Sequence, residues 1–267
     1  MTFCGTDYRV DLSMRGRVSF FAKMLIPLLL VYIGPERTAC AQQPGASAPI
    51  IKVPLSQEQV VENLVAMDLK RVHALNAFQG TQFYRLEYHG FGGTRSAEMT
   101  VDVKYRSPNT KEFRIRSATG SMMIVRKVFK KLLRAEKEAM EVENRRRDAI
   151  NNDNYSFTQM EYDSTPSGSM YVLGVKPKTE GLFLYRGQIW VDAEGFAVAR
   201  LKAQPAKNPS FWIKHIEIEE VYKRVGDFWL PVSSQSIATI RFGGRAILTI
   251  QYQNYKITSA DTVSNLR

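Results

Sequence analysis

The feature that most constrains this chain is a period of two. Ala97, Met99, Val101, Val103 and Tyr105 alternate with Glu98, Thr100, Asp102 and Lys104. Such a segment has one apolar and one polar face only when extended. Tyr84, Leu86 and Tyr88 alternate in the same way with Phe83, Arg85, Glu87 and His89, and a third strand centres on Phe113 and Ile115. After an interruption the spacing predicts strands over Tyr155–Asp163, Met170–Lys176, Leu182–Asp192, Phe196–Gln204, Phe211–Arg224, Phe228–Ile240 and Arg245–Thr258. Turn residues divide these runs, among them Gly90-Phe91-Gly92-Gly93, Pro166-Ser167-Gly168, Gly226-Asp227 and Gly243-Gly244. Several links are short, so sequence neighbours should pair antiparallel. The expected fold is mainly β (α+β): a curved antiparallel sheet or incomplete β-barrel of about ten strands.

Two helical segments break the alternation. Ser56 is positioned to cap a helix with Glu58 and Gln59 in its first turn. Val61, Val65, Leu69, Val72 and Leu75 then form one apolar face, and Gly80 closes the region. The second segment, Ser121 to Asn144, carries Met122, Val125, Phe129, Leu132, Leu133 and Met140 at steps mostly of three or four. Arg126, Lys127, Lys130, Lys131, Arg134 and Lys137 fill the other positions. It is expected as one basic amphipathic helix of about six turns. A sheet of this size needs cover on its concave face, and the two apolar stripes are suited to supply it.

The start of the chain resembles an export leader. Arg15, Arg17 and Lys23 precede the apolar run Met24 to Ile33, which is short for a membrane span. Ala39-Cys40-Ala41 offers small residues for cleavage after Ala41; Met14 can serve as the start. A lipoprotein signal would want Leu where Arg37 stands, so lipidation of Cys40 is set below cleavage. The expected organisation is a signal peptide over 1–41, a Pro/Ala/Ser/Gly-rich lead-in over 42–55, a single domain over 56–258 with a helical insertion at 121–147, and a tail over 259–267. Periplasmic localisation follows from the leader.

The sequence has 37 Lys and Arg against 26 Asp and Glu, a formal net charge of +11. A basic surface favours anionic partners. The expected compartment removes nucleic acid and leaves phospholipid head groups. Cys4 and Cys40 both precede the expected cut, so disulfides and thiol chemistry are not expected in the mature chain. His73, His89 and His215 lie on a helix and two separate strands without ligand spacing, and no hydrolase or phosphate-loop motif is present. Glu217, Glu219 and Glu220 share a strand with Lys214, Lys223 and Arg224, which reads as ordinary surface pairing. The aromatic residues, Trp212 among them, read at least in part as core. No enzyme, metal site or cofactor is expected.

Two segments carry a family resemblance. Tyr185-Arg186-Gly187-Gln188-Ile189-Trp190-Val191-Asp192-Ala193-Glu194-Gly195-Phe196-Ala197-Val198-Ala199-Arg200 is similar to a strand, Val-Asp, turn, Gly-x-x-Val-x-Arg hairpin. Asp227-Phe228-Trp229-Leu230-Pro231-Val232-Ser233 is similar to the Trp-x-Pro strand that follows it. Together with the order of elements, they resemble the bacterial LolA-like and LolB-like lipoprotein carriers and the RseB-type sensor domains that share their fold. Two features depart from the pattern: the long basic helix, and Lys202 to Phe211, which reads as an extended loop.

The resemblance implies an incomplete barrel whose helices roof a hydrophobic cavity for acyl chains. The candidate lining residues are Leu86, Met99, Val101, Val125, Phe129, Leu132, Ile216, Ile218, Leu248 and Ile250. Arg126, Lys130, Lys131 and Arg134 are candidates for contact with lipid head groups. The expected partners are lipoprotein acyl chains or phospholipid, with inner- or outer-membrane proteins at either end of a transfer. The alternative is an envelope sensor or scaffold domain that binds another protein through the same fold. A hydrolase would need a convergent polar cluster in the folded chain.

Overall fold

A computed structural model of the chain describes residues 54–165, 168–181 and 183–259. The leader, with its cleavage point and Cys40, lies outside the described residues, as do most of the lead-in and the tail beyond Ser259.

Helix α1 spans Gln57–Ala74. Ser56 Oγ accepts from the Gln59 amide at 3.3 Å, and the Gln59 side chain accepts from the Ser56 amide at 3.0 Å. This reciprocal pair occupies two amides that a helix start leaves open. The face turned inward differs from the expected one: Val60, Val61, Leu64 and Arg71 are buried, whereas Leu69 is 57% exposed. Arg71 accounts for the rotation. Its guanidinium donates to the carbonyls of Met67, at 2.9 Å, and of Phe196, so a cation stands where spacing alone selects a hydrophobe.

The chain passes from α1 straight into β1, Leu75–Gly90. Gly80 therefore lies within a strand instead of closing the helix. Irregular register between Leu75 and Ala77, and again between Gln79 and Thr81, hides the two-residue period there. Strands β2 (Gly93–Arg106) and β3 (Thr110–Gly120) follow as a meander.

The helical segment comes next, as α2 (Met122–Ile124), a π-helical turn (Val125–Phe129), α3 (Lys130–Glu138) and α4 (Val142–Asp148). The expected continuous helix stops at Glu138. Asn144 Nδ2 donates to the Glu138 carbonyl at 2.8 Å, and the Met140 and Glu141 amides turn back to Lys137 and Glu138. These contacts satisfy terminal carbonyls and end the helix. Strands β4 to β10 then run Tyr155–Thr165, Gly168–Pro177, Tyr185–Asp192, Val198–Pro205, Ile213–Val225, Phe228–Ile240 and Gly244–Ser259. Only 206–211 of the expected long loop lies between strands, because β7 continues to Pro205.

The ten strands form one antiparallel sheet in the order β3-β2-β1-β10-β9-β8-β7-β6-β5-β4. The first strand pairs with the last, Tyr84 opposite Ile250 and Leu86 opposite Leu248. The sheet is thus a ring of strands left open between β3 and β4. Those two edges are consecutive in sequence, so the segment 121–154 is a strap leading from one edge to the other. One apolar cluster joins β1–β3, β9 and β10 to α2, the π-helical turn, α3 and Met140. A second joins β4–β9 to α1.

Gly120 starts the strap at φ +81°, and a Cβ there would meet the Ser96 carbonyl oxygen at 2.4 Å. Gly120→Ala is therefore expected to lower stability by about 1–3 kcal/mol, read as a lower urea midpoint at unchanged m-value.

Candidate functional site

The region between strap and sheet is where the expected lining residues meet. Leu86, Met99, Val101, Val125, Phe129, Leu132, Leu248 and Ile250 all belong to the cluster under the strap. Ile216 and Ile218 belong to the other cluster, facing α1. Period-two alternation puts Met99, Val101 and Val103 on one face of β2. On the strap, Val125, Phe129, Leu132 and Leu133 turn inward. Phe129 reaches Tyr84, ring centroids 5.8 Å apart.

Among the described residues this interior is closely packed. Phe129, Val101 and Tyr84 have no exposed surface. A cavity of about 10 Å³ lies beside Gln82, Lys111, Tyr252 and Tyr255. Another, of about 30 Å³, lies between α1 and β7–β9, beside Leu64, Asp68, Arg71, Val198, Tyr222 and Trp229. Each has room for about one or two water molecules; neither admits an acyl chain.

A buried polar network runs through the same region. Glu136, on the inner side of α3, ion-pairs with Lys111 of β3, and the Lys111 side chain is fully buried. Glu136 also accepts from Gln82 Nε2 at 2.9 Å and from the Tyr84 hydroxyl at 3.2 Å. The Tyr84 hydroxyl lies 2.6 Å from Gln82 Oε1 as well. Burial pushes the Lys111 ammonium below its usual range, and the Glu136 carboxylate opposes that shift. A second buried carboxylate, Glu220 of β8, is hydrogen-bonded to Tyr222 and, at 3.4 Å, to Ser234. Burial pushes its pKa up, against those bonds, and Glu136 pushes in the same direction as burial. Burial likewise raises Tyr84, Tyr222 and Tyr252 well above the usual phenol range.

Glu220 corrects the sequence reading. It does not join Glu217 and Glu219 in surface pairing; it is 9% exposed and points the same way as Ile216, Ile218 and Tyr222. Its place in the alternation carried that signal. Glu136 was marked in the same way, falling at helical spacing from Phe129 and Leu132, and Lys111 shares the parity of Phe113. The network is convergent, as a hydrolase would need, but its groups are bonded to one another and sealed from solvent. Among the described residues, no group of three or more His, Cys, Asp or Glu could hold a metal ion.

The outer side of the strap is basic. Arg126, Lys130 and Arg134 are exposed and Lys131 is half-buried. Among the described residues, none of the four has a carboxylate partner. No described helix is long and apolar enough to cross a membrane.

Asp68, beside Arg71 in the α1 cavity, has its pKa pushed by burial from 3.8 to about 7, against the pull of Arg71. The folded state therefore holds this proton more tightly than the unfolded chain. The resulting stability is full below pH 3.8 and is lost as pH rises through about 7. Asp68→Asn should flatten the dependence of Tm on pH across that window and raise Tm above it.

Removing one partner of a buried ion pair leaves an uncompensated charge, at a cost of about 3–5 kcal/mol. Lys111→Met should lose that much stability in urea denaturation. The double variant Lys111→Met/Glu136→Gln should recover a large share, which identifies the loss with the stranded carboxylate.

No protein-family model matches the sequence, and no curated protein matches it. Solved structures do match. A DUF1329 family protein from Desulfovibrio piger aligns at 12% identity and a TM-score of 0.37, over 75% of this chain and 92% of its own. A LolA superfamily protein from Nitrosomonas europaea aligns at 9% identity and a TM-score of 0.31, over 77% and 94%. A chain of the Pseudomonas aeruginosa MucA/MucB complex aligns at 9% identity and a TM-score of 0.24, over 76% and 99%.

Proposed function

We propose that this chain is a noncovalent carrier or binder of acyl chains, of lipoprotein or of phospholipid, and that the strap is the lid over its binding site. The observation that carries this reading is the strap itself. It links the two open edges of the sheet, lays an apolar side on the expected lining residues and turns a basic side outward. In the closed form its own side chains occupy the place of the ligand. Loading then exchanges strap contacts for ligand contacts, with each buried methylene contributing about 0.8 kcal/mol. The Lys111–Glu136 pair suits such a latch. Its charges regain hydration when the strap lifts, so a buried pair adds little net resistance to opening. Arg126, Lys130, Lys131 and Arg134 would then meet the anionic head group.

The proposal includes export to the periplasm, with the leader removed after Ala41, the single unit 56–258 as the working part, and membrane proteins as donor or acceptor of the cargo. No step in it requires catalysis.

A second reading is favoured by a specific observation. Among the described residues the interior is closely packed, and β3 has an unpaired edge, with every residue from Arg116 to Gly120 exposed. Such an edge can add a strand from another protein. On this reading the chain is an envelope sensor or scaffold that carries no lipid.

Mass spectrometry of organic extracts from the purified protein separates the two, since only the first expects bound lipid. Phe129→Asp, verified as folded by circular dichroism, should abolish that lipid. Lys111→Met should speed uptake of a fluorescent fatty acid by loosening the latch. Lipid-free extracts together with an unchanged uptake rate would discard the carrier reading.

A further inference from the structure

One end of the sheet is built differently from the other. Gly90 pairs with Gly93 and with Gly244, and Ile213 pairs with Ile240. The β1–β2 turn, the β9–β10 turn and the loop entering β8 therefore share one end, a strand spacing or so apart. The start of the strap lies there too, since the Ser121 amide donates to the Ser96 carbonyl at 2.8 Å. These four segments carry Phe91, Phe242, Phe211 with Trp212, and Met122 with Met123. Nine large apolar residues are exposed among the described residues, and these six are the ones at this end. The other three, Leu69, Ile115 and Met160, lie on α1 or within strands.

Phe91 and Phe242 project from turn tips, 93% and 81% exposed. Phe242 also has φ +65°, a left-handed conformation that bulky residues avoid. A strained, solvent-facing phenylalanine contributes little to folding, so its identity points to an external contact. Trp212 stacks edge-on with Phe211 and Phe242, centroids 5.7 and 6.1 Å away, and the Arg241 guanidinium sits 4.9 Å from the Phe211 centroid. Around these rings stand exposed cations, Arg95, Lys214, Arg241 and Arg245. Among the described residues, none of them has a carboxylate partner.

From this juxtaposition we infer that the aromatic and basic end of the sheet docks on the surface of an anionic lipid bilayer. Protruding aromatic and methionine side chains suit insertion at the headgroup boundary, where Trp and Phe are at home. The unpaired cations complement anionic lipids across a Debye length. The site is distinct from the ligand interior under the strap, and each can exist without the other.

The test uses the full chain in flotation with vesicles of phosphatidylcholine, with and without phosphatidylglycerol. Binding is expected only to vesicles with phosphatidylglycerol and should weaken at high salt. Phe91→Ser/Trp212→Ser/Phe242→Ser should bind at least tenfold more weakly while keeping its melting temperature and any lipid extractable from the interior. Arg95→Gln/Arg241→Gln/Arg245→Gln should lose the dependence on phosphatidylglycerol. A blue shift of tryptophan emission on vesicle addition, lost in Trp212→Phe, would place that ring in the bilayer. Binding that is undiminished in the aromatic triple variant overturns the inference, as it would if the apolar run at 24–33 were the anchor. So does the absence of binding by the unaltered chain. A concentration-dependent dimer abolished by the same substitutions overturns it as well, by assigning the rings to a second copy.

Discussion

The pairing of β1 with β10 is the constraint from which the other features follow. β1 holds β2 on one side and β10 on the other, so hydrogen bonding continues through the whole sheet. The unpaired backbone rows are left on the outer sides of β3 and β4. These two strands are also consecutive along the chain, so the ring opens where the sequence must pass from one edge to the other. The strap is a requirement of the topology, and its two-sided character follows from that route. One side lies on the apolar cluster and the other meets water.

The centre of the molecule departs from a plain hydrophobic core. Glu136, Lys111, Gln82 and Tyr84 satisfy one another in a volume that admits about a water molecule. A buried ion pair adds little net stability, yet misplacing either partner is costly. Its effect here is positional. Glu136 finds its partners only when α3 lies in one register over β1 and β3, whereas apolar contacts alone tolerate sliding. The polar groups thus select a single closed arrangement without making it hard to leave.

Much of the architecture was legible in the residues. Ala97 to Tyr105 keeps a strict alternation, much of Ile213 to Tyr222 does so too, and glycine-containing turns mark several strand ends. Eight of the ten candidate lining residues fall in one cluster because periodicity reports facing directly. The failures have separate causes. The start of β1 was hidden by two register irregularities. The inward face of α1 was misplaced because it buries Arg71, which finds a carbonyl that no local pattern foretells. Lys111, Glu136 and Glu220 occupied inward positions throughout, but a charged residue is read as surface until its partners are seen. Trp212 was read with the core aromatics, and only the turn geometry puts it outside.

The same end-to-end pairing governs how the molecule can assemble. Leu75 faces Ser259, so the contact that joins the two halves of the sheet brings together its first and last strands in the sequence. Closing so long a loop is slow, and it cannot begin before the final strand exists. A chain emerging N-terminus first would hold β1 with one bare side until Gly244–Ser259 arrived. During that interval the strap has no complete floor to lie on. Assembly of the sheet thereby waits for β10, and a deletion of β10 would remove the central seam of the sheet instead of trimming its margin.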